Sequence, residues 1–188
     1  YYLLKEVSFG NDGSISKEKL ISSINSDLAN NFGNLCQRVL TFTEKNNGLE
    51  VPEINSFDQD DLQVLKPFSE NYQNLIDFIN DQNINGYMNF IVEQMFVANK
   101  YFNDQEPWKK KNDPKRLKEI IYTSLELIRK ISTLLYPVIP QSSLKALNIF
   151  KINEDKIDIK SIKNNTFLKP NLAINKIDIL FSKVLNND

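Results

Sequence analysis

The chain has 188 residues, 41% of them hydrophobic, with 23 basic and 24 acidic side chains and a net charge of −1. That is enough apolar material for one core, and too balanced a charge for a polycationic nucleic-acid binder, so any such contact has to be local. One cysteine and no histidine exclude an internal disulfide, the commonest zinc ligand and Ser-His or Cys-His nucleophiles.

No apolar run approaches the roughly 18 residues needed to cross a bilayer, and no basic-then-apolar leader opens the chain, so a cytoplasmic protein without a membrane partner is expected. The chain opens on Tyr1 instead of methionine, which suggests a piece of something longer. Residues 1–13, YYLLKEVSFGNDG, alternate weakly and close on a turn signal, so they read as an extended connector. Ser16 offers an N-cap with Glu18 in the first turn. Ile21, Ile24, Leu28, Phe32, Leu35, Val39 and Phe42 then follow three-four spacing, which predicts one long amphipathic helix or two abutting ones, with a bend at Gly33. After the loop NNGLEVPEINSF, Leu62, Leu65, Tyr72, Ile76 and Ile79 continue the period, with a kink at Pro67.

Ile84, Met88, Ile91, Met95, Ala98 and Phe102 mark a third stripe. The fourth starts at a cap, Asp113, with Pro114 in the first turn, and runs through Leu117, Ile121, Ser124, Ile128, Ile131 and Leu135. Pro137 and Pro140 end it, and PQSSLKALNIF reads as a short fifth helix. From Lys151 the pattern turns to alternation, KIDIKSIKN and KIDILFSKV, which predicts a strand-like or irregular tail. The expected fold is all-α. It is an antiparallel bundle of four to five helices over residues 14–150, preceded by a connector (1–13) and followed by an extension (151–188), irregular or short β, that packs on the bundle or on another domain.

Most of the reactive side chains have a plain structural reading. Cys36 has no histidine to activate it and reads as a semi-buried thiol. Asp58, Asp60 and Asp61 lie where a helix begins and suit its dipole. Five scattered glycines form no phosphate loop. No catalytic, cofactor-binding or metal-binding residue is therefore expected in this chain.

Two stretches ask for more. Trp108, the only tryptophan, sits in NDQEPWKKKNDPKRL between the third and fourth stripes, where Lys109, Lys110, Lys111, Lys115, Arg116 and Lys118 outnumber Glu106 and Asp113. A ring beside lysines suits a stacked base with phosphate nearby, and a ring folded back as a lid on the bundle suits the same spacing. In GNLCQRVL, Asn34 and Arg38 stand four apart, about 40° around a helix, on one flank of the core stripe. Their amide and guanidinium suffice to read the edge of an unpaired base, although a solvated flank has the same spacing.

YYLLKEVSFGNDGSIS, NSDLANNFGNLCQRVL and ANKYFNDQEPW, in this order and at these separations, resemble the carboxy-terminal part of bacterial-type methionyl-tRNA synthetases, over nearly the whole chain and least after residue 150. The resemblance implies a helical anticodon-binding domain that follows a Rossmann catalytic domain, and a tail packing back toward the enzyme body. It implies that Asn34 and Arg38 contact the first anticodon base, the cytosine of CAU, and that Trp108, after Pro107, stacks in the anticodon site. Lys109, Lys110 and Lys111 are candidate phosphate contacts, although the lysine run is not a family signature, and Lys5 stands where the family often has arginine. The implied partners are the anticodon loop of tRNA(Met) and the enzyme's own catalytic domain. The implied parent is a methionine–tRNA ligase using ATP and magnesium, with no cofactor held in this chain, whose lack of histidine leaves out one of the family's ATP-handling signatures. A different class I synthetase and a helical protein-interaction module are the competing expectations.

Overall fold

A computed structural model of the chain describes residues 1–8, 10–176 and 178–185. The parts of the predicted connector and tail that fall on Phe9, Ile177 and residues 186–188 lie outside the described residues. The helices are α1 (Tyr2–Glu6), α2 (Lys17–Ser23), α3 (Asn34–Asn47), α4 (Gln59–Glu70), α5 (Tyr72–Asn80), α6 (Ile84–Asp104), α7 (Pro114–Leu135) and α8 (Pro140–Asn148). All five predicted stretches are present, two of them subdivided. Among the described residues no helix is long and apolar enough to cross a membrane.

Residues 1–13 depart from an extended connector, because Tyr2–Glu6 is helical. The reason is a buried carboxylate. Asp27 accepts hydrogen bonds at 2.8 Å from both the Tyr1 hydroxyl and the Lys5 ammonium, and only a helical turn brings two residues four apart onto one acceptor. Ser16 caps α2 as expected, accepting from the Lys19 amide at 3.3 Å.

The first long stripe is continuous in space, but its middle, Ile24–Gly33, is π-helical. Its wider turn, seen where the Asn34 amide reaches back to the Ala29 carbonyl, slips the register between α2 and α3. Gly33 lies at the end of this segment, not at a bend. A Cβ there would come within 3.0 Å of the Leu28 carbonyl oxygen and 3.3 Å of the Phe181 ring, so glycine lets the tail lie close against the helix. Gly48, at φ 65°, closes α3 in the left-handed conformation.

The second stripe is broken between α4 and α5. Pro67 sits inside α4, and the helix ends one turn later at Asn71, which returns both its amide and its side-chain Nδ2 to the Pro67 carbonyl at 3.0 Å. The restart changes the phase. Leu62 and Ile79, expected in the core, are exposed, while Leu65, Phe68 and Leu75 are fully buried.

α7 runs through the middle of the molecule, packed by α3, α4, α6 and α8, and every side chain from Glu119 to Leu135 is buried. The predicted one-sided stripe is therefore a helix covered all round, and the tail provides the extra cover. Glu126 accepts from the Leu168 amide at 2.7 Å and from Arg129 Nε at 2.7 Å. Arg129 donates to Ser161 Oγ at 3.0 Å and to the Ser161 and Asn164 carbonyls at 3.1 and 3.2 Å. Lys130 donates to the Ile162 and Asn164 carbonyls and to Asn165 Oδ1. The tail is irregular, with 3-10 turns at Glu154–Lys156 and Ile159–Lys163. Among the described residues its only strand-like pairing is one bridge between Glu50 and Ala173. Cys36 is fully buried instead of semi-buried, and burial pushes its thiol pKa far above the ordinary range.

Candidate nucleic-acid interface

The register slip ahead of α3 puts Asn34 at its first residue, exposed, with Arg38 half-buried one turn above. Arg38 does not wave into solvent. Its Nη1 donates to Asn99 Oδ1 at 3.3 Å and its Nη2 to Asn103 Oδ1 at 2.6 Å, both on α6. The guanidinium carbon lies 5.4 Å from the centre of the Phe102 ring.

α6 ends at Gln105, and Glu106 turns the chain with a left-handed φ of 43°. Pro107, which has no amide to satisfy, opens a 3-10 turn, Pro107–Lys109, and is buried there. The next residue, Trp108, is thrown outward. Its ring meets Phe102 edge-on, with centroids 6.3 Å apart, and is 43% exposed. Phe102 in turn packs edge-on against Phe42 at 5.9 Å. Trp108 is thus seated on the core without being covered by it.

Asn34, Arg38 and Trp108 consequently line one open cleft of about 420 Å³, with Phe42 and Phe102 as its apolar floor. Three further residues that the sequence reading did not single out complete the α3 wall: Gln37, Thr41 and Lys45. Thr41 and Lys45 continue the three-four spacing set by Asn34 and Arg38, so extending that period would have found them. Asn99 and Asn103 repeat the same spacing on α6.

Of the other candidates, Pro107 starts the turn without lining the cleft. Lys109 pairs with Glu106 at 2.7 Å. Lys110 is half-buried and Lys111 exposed, beside the cleft and outside its lining. Arg116 is spent on structure. It grips Asp61 with two hydrogen bonds of 2.7 and 2.9 Å and donates to Gln105 Oε1 at 2.8 Å, while the Tyr101 hydroxyl also bonds Asp61. Burial opposes the Arg116 charge, but the Asp61 hydrogen bonds and nearby charges outweigh it and hold the guanidinium above its ordinary pKa. Asp61 therefore does more than favour a helix dipole. It completes a capping box with Asp58 and ties α4 to α7 under the turn that presents Trp108.

Similarity to known proteins gives the class: the family model for class I tRNA synthetases (M) matches residues 1–40. A second model, the anticodon binding domain of methionyl tRNA ligase, matches residues 51–188. The chain belongs to this family. It is 36% identical over 157 residues to a methionine–tRNA ligase of Brucella suis, covering 83% of this chain and 30% of that protein. It is 34% identical over 187 residues to one of Rickettsia felis, covering 97% and 36%. The chain thus spans about a third of the length of the curated relatives it matches. Among solved structures, the free form of Mycobacterium tuberculosis methionyl-tRNA synthetase superposes with a TM-score of 0.92 at 30% identity, covering 98% of this chain and 38% of that one. The same enzyme in complex with methionyl-adenylate gives 0.89 at 31% identity, covering 96% and 36%.

Proposed function

We propose that this chain recognises the anticodon loop of tRNA(Met) on behalf of a cytoplasmic methionine–tRNA ligase, whose remaining part uses ATP and magnesium to activate and transfer methionine. Residues 1–13 lead from that part, residues 14–150 form the recognition bundle, and residues 151–188 brace it. No cluster of three or more histidine, cysteine or acidic side chains that could hold a metal ion exists among the described residues. The nucleotide chemistry is assigned to the remaining part of that enzyme.

The observation that carries the reading is the convergence of Asn34, Arg38 and Trp108 on a single open cleft. Cytosine presents an amino donor beside ring and carbonyl acceptors, and uracil reverses two of these positions. Arg38 can only donate, so it faces the acceptors; Asn34, with both a donor and an acceptor, answers the amino group. The ring of Trp108 stacks on the base whatever its identity, Pro107 fixes the turn that presents it, and Lys110 and Lys111, with Lys45 on the α3 wall, meet the flanking phosphates, while Lys109 is engaged by Glu106. Discrimination thus belongs to the polar pair and affinity to the ring.

Anticodon stem-loops carrying CAU and single-base variants of it test this by direct titration, read through the fluorescence of the one tryptophan. Binding of CAU at least tenfold tighter than of a variant in its first base is expected. Equal affinity for all triplets would defeat the reading.

A further inference from the structure

The three residues given to the base leave unexplained how a long, flexible arginine reads anything at a cleft mouth. Its guanidinium has five N–H donors in one plane. Two are occupied, by Asn99 Oδ1 at 3.3 Å and Asn103 Oδ1 at 2.6 Å, and the Phe102 ring lies alongside at 5.4 Å. The remaining donors stay available to a ligand.

The amide orientation of Asn99 is set by chemistry. Arginine offers only donors, so Asn99 must turn its oxygen to Arg38. Its nitrogen then faces Asn31 on the π-helical segment, donating to the Asn31 carbonyl at 3.1 Å and to Asn31 Oδ1 at 2.8 Å. Asn31 is 5% exposed, so this end of the relay is anchored in the interior. A flipped amide would lose both ends at once.

We propose that Asn103 and Asn99 are positioning residues that fix the plane of the Arg38 guanidinium, so that part of the discrimination at the first anticodon base resides on α6 and not on α3. This rests on the function proposed above. Held in place, the remaining N–H groups meet the adjacent ring and carbonyl acceptors of cytosine and oppose the N–H of uracil. Released, the guanidinium swings to whatever acceptor is near, a uracil carbonyl or a phosphate, and binding persists while selectivity falls. Orienting the fork in advance also removes an ordering cost that binding would otherwise bear.

Asn103 is the residue to vary, because it is exposed and its loss leaves the interior untouched. In the full chain, Asn103→Ala is expected to reduce the CAU-to-UAU affinity ratio by roughly tenfold, equivalent to about 1.4 kcal/mol, while the melting temperature and the Trp108 quench at saturation stay unchanged. Asn103→Asp, which keeps an acceptor at that place, is expected to keep the ratio. If wild-type discriminates and Asn103→Ala discriminates equally, the positioning role is overturned and the anticodon reading stands. If both variants lose the ratio, the acceptor is not what matters and the proposal also fails. If wild-type itself shows no preference for CAU, the anticodon reading falls first and takes this inference with it.

Discussion

A tryptophan that is 43% exposed yet touches the core through one edge has to satisfy two demands, and truncating it separates them. Trp108→Ala removes a single edge-on contact with Phe102 and a part-buried surface. Its cost in stability is expected to be about 1 kcal/mol, against the roughly 3 to 5 kcal/mol of a buried aromatic, as read by urea denaturation. The same change is expected to weaken every stem-loop by about 1 to 3 kcal/mol, whatever its triplet. A stability loss on the core scale would make the ring a structural plug. At this scale the sequence singled out Trp108 because it lies on a loop outside the apolar stripes, whereas Asn34 and Arg38, a polar pair four apart on one flank, stood out from a solvated face only through the family resemblance. It did not show Asn99 or Asn103. They stand at helical spacing beside the third stripe and look like any solvated flank until Arg38, 65 residues from Asn103 along the chain, is seen to meet them.

Among the elements, those with a clean apolar period, α6 and the first half of α7, were legible from spacing alone. The π-helical segment was not, because a wide turn shifts phase without changing composition. Nor was the burial of Glu126, Arg129 and Lys130, since their partners are mostly backbone groups of a tail that alternates in sequence while its described residues form no strand. The clamp between Asp61 on α4 and Arg116 on α7 was hidden in the same way, by two residues each with an adequate local explanation. Asp61→Ala strips Arg116 of both its short ion-pair bonds in a buried place, and a loss of about 3 kcal/mol is expected in urea denaturation. A loss below 1 kcal/mol would show that solvent substitutes for the carboxylate. The docking of α1 has a pH signature. Burial lowers the Lys5 ammonium pKa, but the hydrogen bond and charge of Asp27 outweigh that and hold it above the ordinary value. A base whose pKa is raised on folding contributes fully below the ordinary lysine value, about 10.4, and loses its contribution as pH rises through the higher folded value. The stability gap between wild-type and Lys5→Met is therefore expected to be constant from pH 7 to 9 and to narrow as the pH rises past the ordinary lysine value.

For the molecule as a whole, charge sets how the proposed grip on RNA depends on salt. The net charge is −1, Arg116 is bound to Asp61, and Lys109 is paired with Glu106, so few cations near the cleft remain for phosphate. Lys110 and Lys111 beside the turn and Lys45 on the α3 wall are the ones the geometry offers. Three contacts to a single-stranded loop, at a slope of about −0.7 each, give a log–log slope near −2. Affinity is then expected to fall by roughly 20-fold between 50 and 200 mM salt. Titrating the CAU stem-loop across that range gives the slope directly, and alanine at Lys111 is expected to reduce its magnitude by less than one. A slope of −5 or steeper would require more phosphate contacts than this face can supply, and the binding surface would then have to lie elsewhere on the chain. A shallow slope has a functional consequence. With little affinity drawn from charge, wrong anticodons gain little from non-specific attraction, and the choice among them is left to the short-range donors and acceptors that α6 holds in place.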